Sequence, residues 1–77
     1  MIIDNAPFTI SPNPVTSILN VQMSNELSQA KIYTLNGQCV LQSSQTDIDV
    51  SSLPQGMYIL RALTADGQQH QAKFIKE

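Results

Sequence analysis

Stretches in which apolar and polar residues alternate with a period of two recur at short intervals along this chain, divided by turn residues. A period of two suits a strand with one buried face. It does not suit a helix, where successive side chains lie about 100° apart. Helical spacing is almost absent, so the chain is expected to be all-β. Its 77 residues allow a single domain with one core. Hydrophobic residues make up 42% of the sequence, enough for that core, and the single Cys39 excludes an internal disulfide that would supplement it.

The turn residues divide the chain into seven predicted strands: Phe8 to Ser11, Ser17 to Met23, Gln29 to Leu35, Cys39 to Ser43, Thr46 to Val50, Gly56 to Thr64 and Gln71 to Lys76. Pro12-Asn13-Pro14 forms a rigid corner, because two rings fix φ and remove two amide donors. Ser24 to Glu26 reads as a polar turn. Asn36-Gly37 and Asp66-Gly67 read as hairpin turns, the first expected as type I′ with positive φ at both central residues. Gly56 would permit a kink or bulge, and Leu53 would anchor the connection broken by Pro54. Leu19, Val21, Met23, Ile48, Val50, Tyr58, Leu60, Ala62, Ala72 and Phe74 form the predicted inner face. This pattern predicts a seven-stranded antiparallel immunoglobulin-like β-sandwich, with a small closed barrel as the rival. Lys31, Lys73, Lys76 and the prolines are candidate guards against edge pairing. Residues 1–6 read as a linker or vector remnant ahead of a domain at 7–77.

Charge and composition exclude several functions. Four basic against six acidic side chains give a net charge of −2, which provides no field for a phosphate backbone, so nucleic acid is not an expected partner. No apolar run approaches the roughly 20 residues of a membrane-spanning helix. Met1-Ile2-Ile3 lacks the basic start and long apolar stretch of a signal peptide. His70, the single histidine, reads as a solvated strand residue among glutamines. Cys39 reads as a small hydrophobe, and Asp47 and Asp49 as solvated surface charges. Serines are abundant, yet none lies in Gly-x-Ser-x-Gly. Zinc spacing and phosphate-binding glycine loops are missing as well, so neither a catalytic site nor a metal or other cofactor is expected.

The order of motifs is more specific than any one of them. Ser11-Pro12-Asn13-Pro14-Val15 is followed by Ile32-Tyr33-Thr34-Leu35-Asn36-Gly37, then by Ile48-Asp49-Val50-Ser51-Ser52-Leu53-Pro54-Gln55-Gly56-Met57-Tyr58, and last by Lys73-Phe74-Ile75-Lys76. From about Phe8 onward the chain resembles the type A C-terminal sorting domain of the type IX secretion system of Bacteroidota. The resemblance implies a non-catalytic label that carries a passenger through the periplasm and across the outer membrane to the surface or the medium. It implies three partners: the outer-membrane translocon, its shuttle protein and a sortase-like cysteine protease that removes the label.

In this reading Pro12, Asn13, Pro14, Gly37, Leu53, Gly56 and Tyr58 are scaffold. Asn13 is expected to bond its own backbone. Lys73, Phe74, Ile75 and Lys76 are the candidates for recognition, through an exposed strand edge or through the two lysines. The alternative for Lys73 and Lys76 is that they are solvated strand ends. The competing function is an immunoglobulin-like or carbohydrate-binding appendage of a secreted protein. An uncovered edge would also let isolated copies pair as dimers.

Overall fold

The computed structural model describes residues 8–23 and 26–77. The expected linker over 1–6, the domain start at Pro7 and the first part of the 24–26 turn lie outside the described residues. Among the described residues seven strands form: β1 (Phe8–Ser11), β2 (Ile18–Met23), β3 (Leu27–Thr34), β4 (Cys39–Ser43), β5 (Asp47–Asp49), β6 (Gly56–Thr64) and β7 (Gln69–Lys76). They make two antiparallel sheets, a three-stranded one in the order β1-β2-β5 and a four-stranded one in the order β4-β3-β6-β7. The immunoglobulin-like sandwich is confirmed.

Two five-residue stretches decide two of the three neighbour pairs of the larger sheet. Thr34-Leu35-Asn36-Gly37-Gln38 and Thr64-Ala65-Asp66-Gly67-Gln68 share the pattern Thr-x-Asx-Gly-Gln and close in the same way. Gly37 N donates to the Thr34 carbonyl and Gly67 N to the Thr64 carbonyl, and each threonine N donates to the carbonyl of the glutamine. Only the glycines have positive φ, at 91° and 93°. The expected type I′ turn is therefore corrected to a three-residue loop whose glycine alone enters the left-handed region, leaving Asn36 and Asp66 unstrained. Such a turn returns the chain beside the strand it left. In the immunoglobulin constant arrangement the fourth strand joins the sheet of the first, second and fifth, but here the turn at Asn36-Gly37 holds β4 against β3.

The alternation fixes what each strand buries. Leu19 and Val21 of β2 and Ile48 of β5 meet Ala30 and Ile32 of β3 and Tyr58, Leu60 and Phe74 of β6 and β7, all in one core. Tyr58 and Phe74 are partners in register, with ring centroids 5.7 Å apart. Connections supply the remaining plugs, Val15 and Val50 without exposure and Leu53 nearly so. The Tyr58 hydroxyl donates to the Pro54 carbonyl at 2.6 Å, which satisfies the polar tip of an otherwise apolar ring. Gly56 opens β6 with φ 154° and pairs with Lys76 without a register shift, so it makes no bulge.

Several side chains sit differently from the sequence reading. Cys39 is exposed, because the shift between Ile32 and Tyr33 pairs it with Tyr33 on the outer face. His70 is half-buried and stacks on Phe8 of the opposite sheet, centroids 5.0 Å apart. Lys31 lies on β3, an interior strand, and guards no edge. Thr64 is buried although polar; its hydroxyl donates to Asp66 and accepts from Gln68 N, so its own turn satisfies it.

Candidate functional site

The two motifs at opposite ends of the sequence meet in space. Pro12, Asn13 and Pro14 are exposed and both prolines follow cis peptide bonds. Instead of bonding its own backbone, Asn13 reaches across: its Oδ1 accepts from Ile75 N at 2.9 Å. Val15 continues the contact, donating to the Ile75 carbonyl at 2.9 Å and accepting from Glu77 N at 2.8 Å. The segment thus runs parallel to the end of β7 as a short bridge between Val15 and Lys76. Sequence reasoning missed this clasp because nothing local marks a bond between residues 62 apart.

The clasp changes what the last strand can offer a partner. Ile75 turns both of its backbone groups away from β6, so by alternation the outward groups of β7 belong to Gln69, Gln71, Lys73 and Ile75. The Ile75 end of that edge is already occupied. Among the described residues the stretch from Gln69 to Lys73 remains open. Side chains alternate too: Lys73 and Ile75 are exposed, whereas Phe74 is 1% and Lys76 6% exposed. Lys76 Nζ is bent back onto the Glu77 carbonyl at 3.1 Å. The expectation of two solvated lysine ends therefore fails for Lys76, which shares the inward parity of Ala72 and Phe74. Of the four recognition candidates, two face solvent and two belong to the packing.

The carboxylates of β5 and the thiol of Cys39 are engaged in structure. Asp49 accepts from Ser51 N at 2.9 Å and from Ser51 Oγ at 2.6 Å, closing the turn after β5. Asp47 accepts from Asn20 on the neighbouring strand. Cys39 Sγ points at the Leu41 carbonyl. The Ser51 hydroxyl holds the Asp49 carboxyl below its ordinary value, and the Thr64 hydroxyl does the same for Asp66. Both groups bind a proton less readily folded than unfolded, so their stabilisation is complete above the ordinary value of 3.8 and lost as pH falls through the lower folded values. The thermal midpoint should accordingly stay level on mild acidification and drop below 3.8, and Asp66→Asn should remove part of that drop.

Comparison with known proteins decides what this arrangement belongs to. The family model described as "Secretion system C-terminal sorting domain" matches residues 9–77. The chain belongs to that family. As a sorting domain it is a C-terminal signal for type IX secretion. The family is one of sorting signals, not of catalysts. Two curated relatives carry similar sequence: beta-agarase D of Zobellia galactanivorans, 37% identical over 68 residues, and karilysin of Tannerella forsythia, 30% identical over 89 residues. The alignments cover 86% and 94% of the sorting domain but only 14% and 19% of those proteins. The fold alone is shared with the crystal structure of CopC from Methylosinus trichosporium OB3b, at a TM-score of 0.50 and 15% identity over 91% of each chain.

Proposed function

We propose that this sorting domain, running from residue 7, has no chemistry of its own and is read as a folded object in the periplasm. The shuttle protein and the outer-membrane translocon recognise it there, and a sortase-like cysteine protease removes it at the surface. The clasp is the observation that carries this reading. Asn13 and Val15 hold the Ile75 and Glu77 backbone across the two ends of the domain, and Phe74 and Lys76 are buried, so much of what marks the family resemblance is engaged in the fold. A linear peptide signal would leave its residues free for the receptor. Here the motif builds a shape, and the receptor reads what that shape presents, with Lys73 and Ile75 on the readable side.

Fusing the whole chain behind a periplasmic reporter in a type IX-competent host tests the reading. The reporter should reach the surface or the medium, and removing residues 1–6 should leave export unchanged. A reporter retained in the periplasm while the host exports its own cargo would overturn the proposal.

A further inference from the structure

Charge is divided between the two sheets. All four basic residues of the chain, Lys31, Arg61, Lys73 and Lys76, stand on the four-stranded sheet, and none of its strands contains a carboxylate. The three-stranded sheet is the reverse, with Asp47 and Asp49 on β5 and no basic residue on β1, β2 or β5. A net charge of −2 conceals this. Because Ile32, Leu60 and Phe74 point into the core, the odd-numbered residues of β3, β6 and β7 line the outer face, so Lys31, Arg61 and Lys73 share it.

That face is also apolar at one end. Met57 and Ile75, 44% and 41% exposed, are partners in register, and Ile59 beside Met57 pairs with Tyr33. Leu35 and Val40 are exposed at the same end of the sheet. Arg61 is held in place: its guanidinium lies 5.3 Å from the Tyr33 ring centroid, and Nη2 donates to Gln71 Oε1 at 3.3 Å. Beside it is an open depression of about 160 Å³ lined by Lys31, Tyr33, Arg61 and Leu63, with Gln29 and Gln69 at its sides. This is too small for a typical ligand pocket of roughly 300–1,000 Å³, but it has room for one carboxylate side chain.

We propose that this outer face is the surface by which the domain is read, and that it docks on a protein surface with an apolar patch flanked on one side by carboxylates. The inference rests on the sorting function proposed above and identifies the reading surface. Charge complementarity selects the occupant. A second copy placed face to face would oppose three cations with three. An anionic bilayer is a poor match, since three cations fall below the roughly four to eight of basic lipid-binding segments and the whole chain is negative. A fixed guanidinium fork beside a packed apolar stripe suits a carboxylate of fixed geometry on a folded partner.

The test uses the reporter fused to the whole chain, with a photo-crosslinking residue at Met57 or, as control, at Gln22 on the other sheet. Crosslinks from position 57 to a component of the outer-membrane translocon, absent from position 22, are expected. Lys31→Glu, Arg61→Glu and Lys73→Glu combined should lower export by about tenfold or more, with the thermal midpoint of the isolated chain retained. Asp47→Asn with Asp49→Asn should not lower it. Crosslinking in the otherwise unaltered chain keeps the test independent of how the triple variant folds. Normal export of the folded triple variant, or translocon crosslinks from position 22 alone, would overturn the docking face while leaving the sorting function intact. Crosslinks between copies, or capture of the chain by phosphatidylglycerol vesicles, would assign the face to a different occupant and overturn it equally. Failure of the unaltered fusion to leave the periplasm would remove both proposals together.

Discussion

Replacing Phe74 by alanine is expected to cost about 3–5 kcal/mol, the range for truncating a buried phenylalanine. The ring is 1% exposed, stacks on Tyr58 and lies in the single core of the sandwich. A domain of this length has a total stability of roughly 4–12 kcal/mol, so the variant loses a large share of it. Its melting temperature should fall by roughly 12–40 °C. Export should fail with it, although Phe74 is buried, because the label no longer keeps its shape. Phe74→Leu, which keeps much of the volume, should restore both. A well-folded Phe74→Ala variant that was still not exported would return Phe74 to the recognition surface. For the same reason, deleting residues 73–77 does not isolate recognition, since it removes a core side chain together with Lys73.

The second large effect is expected from opening the clasp. Asn13→Ala with Val15→Ala removes the acceptor of Ile75 N and empties a fully buried position, for a combined loss of about 2–4 kcal/mol. The two sites share the end of β7, so the loss need not be a sum. Amide hydrogen exchange should show it locally, with Ile75 and Glu77 losing protection before the paired residues of β6. Freed backbone groups at Ile75 would extend the open edge of β7, and sedimentation should then detect pairing between copies. Unchanged protection at Ile75 would mean that the corner does not hold the strand.

These expectations also show what the sequence could reveal. Strands β1, β4 and β6 begin and end where alternation placed them, because their apolar residues repeat cleanly against turn residues on both sides. Strands β3 and β7 each start two residues earlier than the pattern suggested, at Leu27 and Gln69. In β7 the hairpin through Asp66-Gly67 carries its hydrogen bonding directly into Gln69 and His70, and backbone pairing there overrides polar side chains. Lys76 had the parity of a core residue, but its charge argued for solvent. Folding resolves that conflict by burying the stem and bending the ammonium onto a carbonyl, a solution available only once the neighbouring residues are in place.

The makeup of the proposed docking face was legible only in part. Lys73 and Ile75 are outward, but nothing in the order of residues indicated that Arg61 and Lys31 stand beside them. Cross-strand neighbours depend on which strands pair, and that was readable only for the two hairpins joined by Asn36-Gly37 and Asp66-Gly67. The pairing of β3 with β6 joins strands with two others between them in the chain. It is this pairing that sets Lys31 opposite Arg61 and Tyr33 opposite Ile59.

The bond between Asn13 and Ile75 also sets an order of closure within the domain. The corner at Pro12 to Pro14 lies early in the chain, yet the groups it holds are supplied only by the end of β7, so a domain cut short before Gln69 leaves Asn13 Oδ1 and the Val15 backbone without those partners.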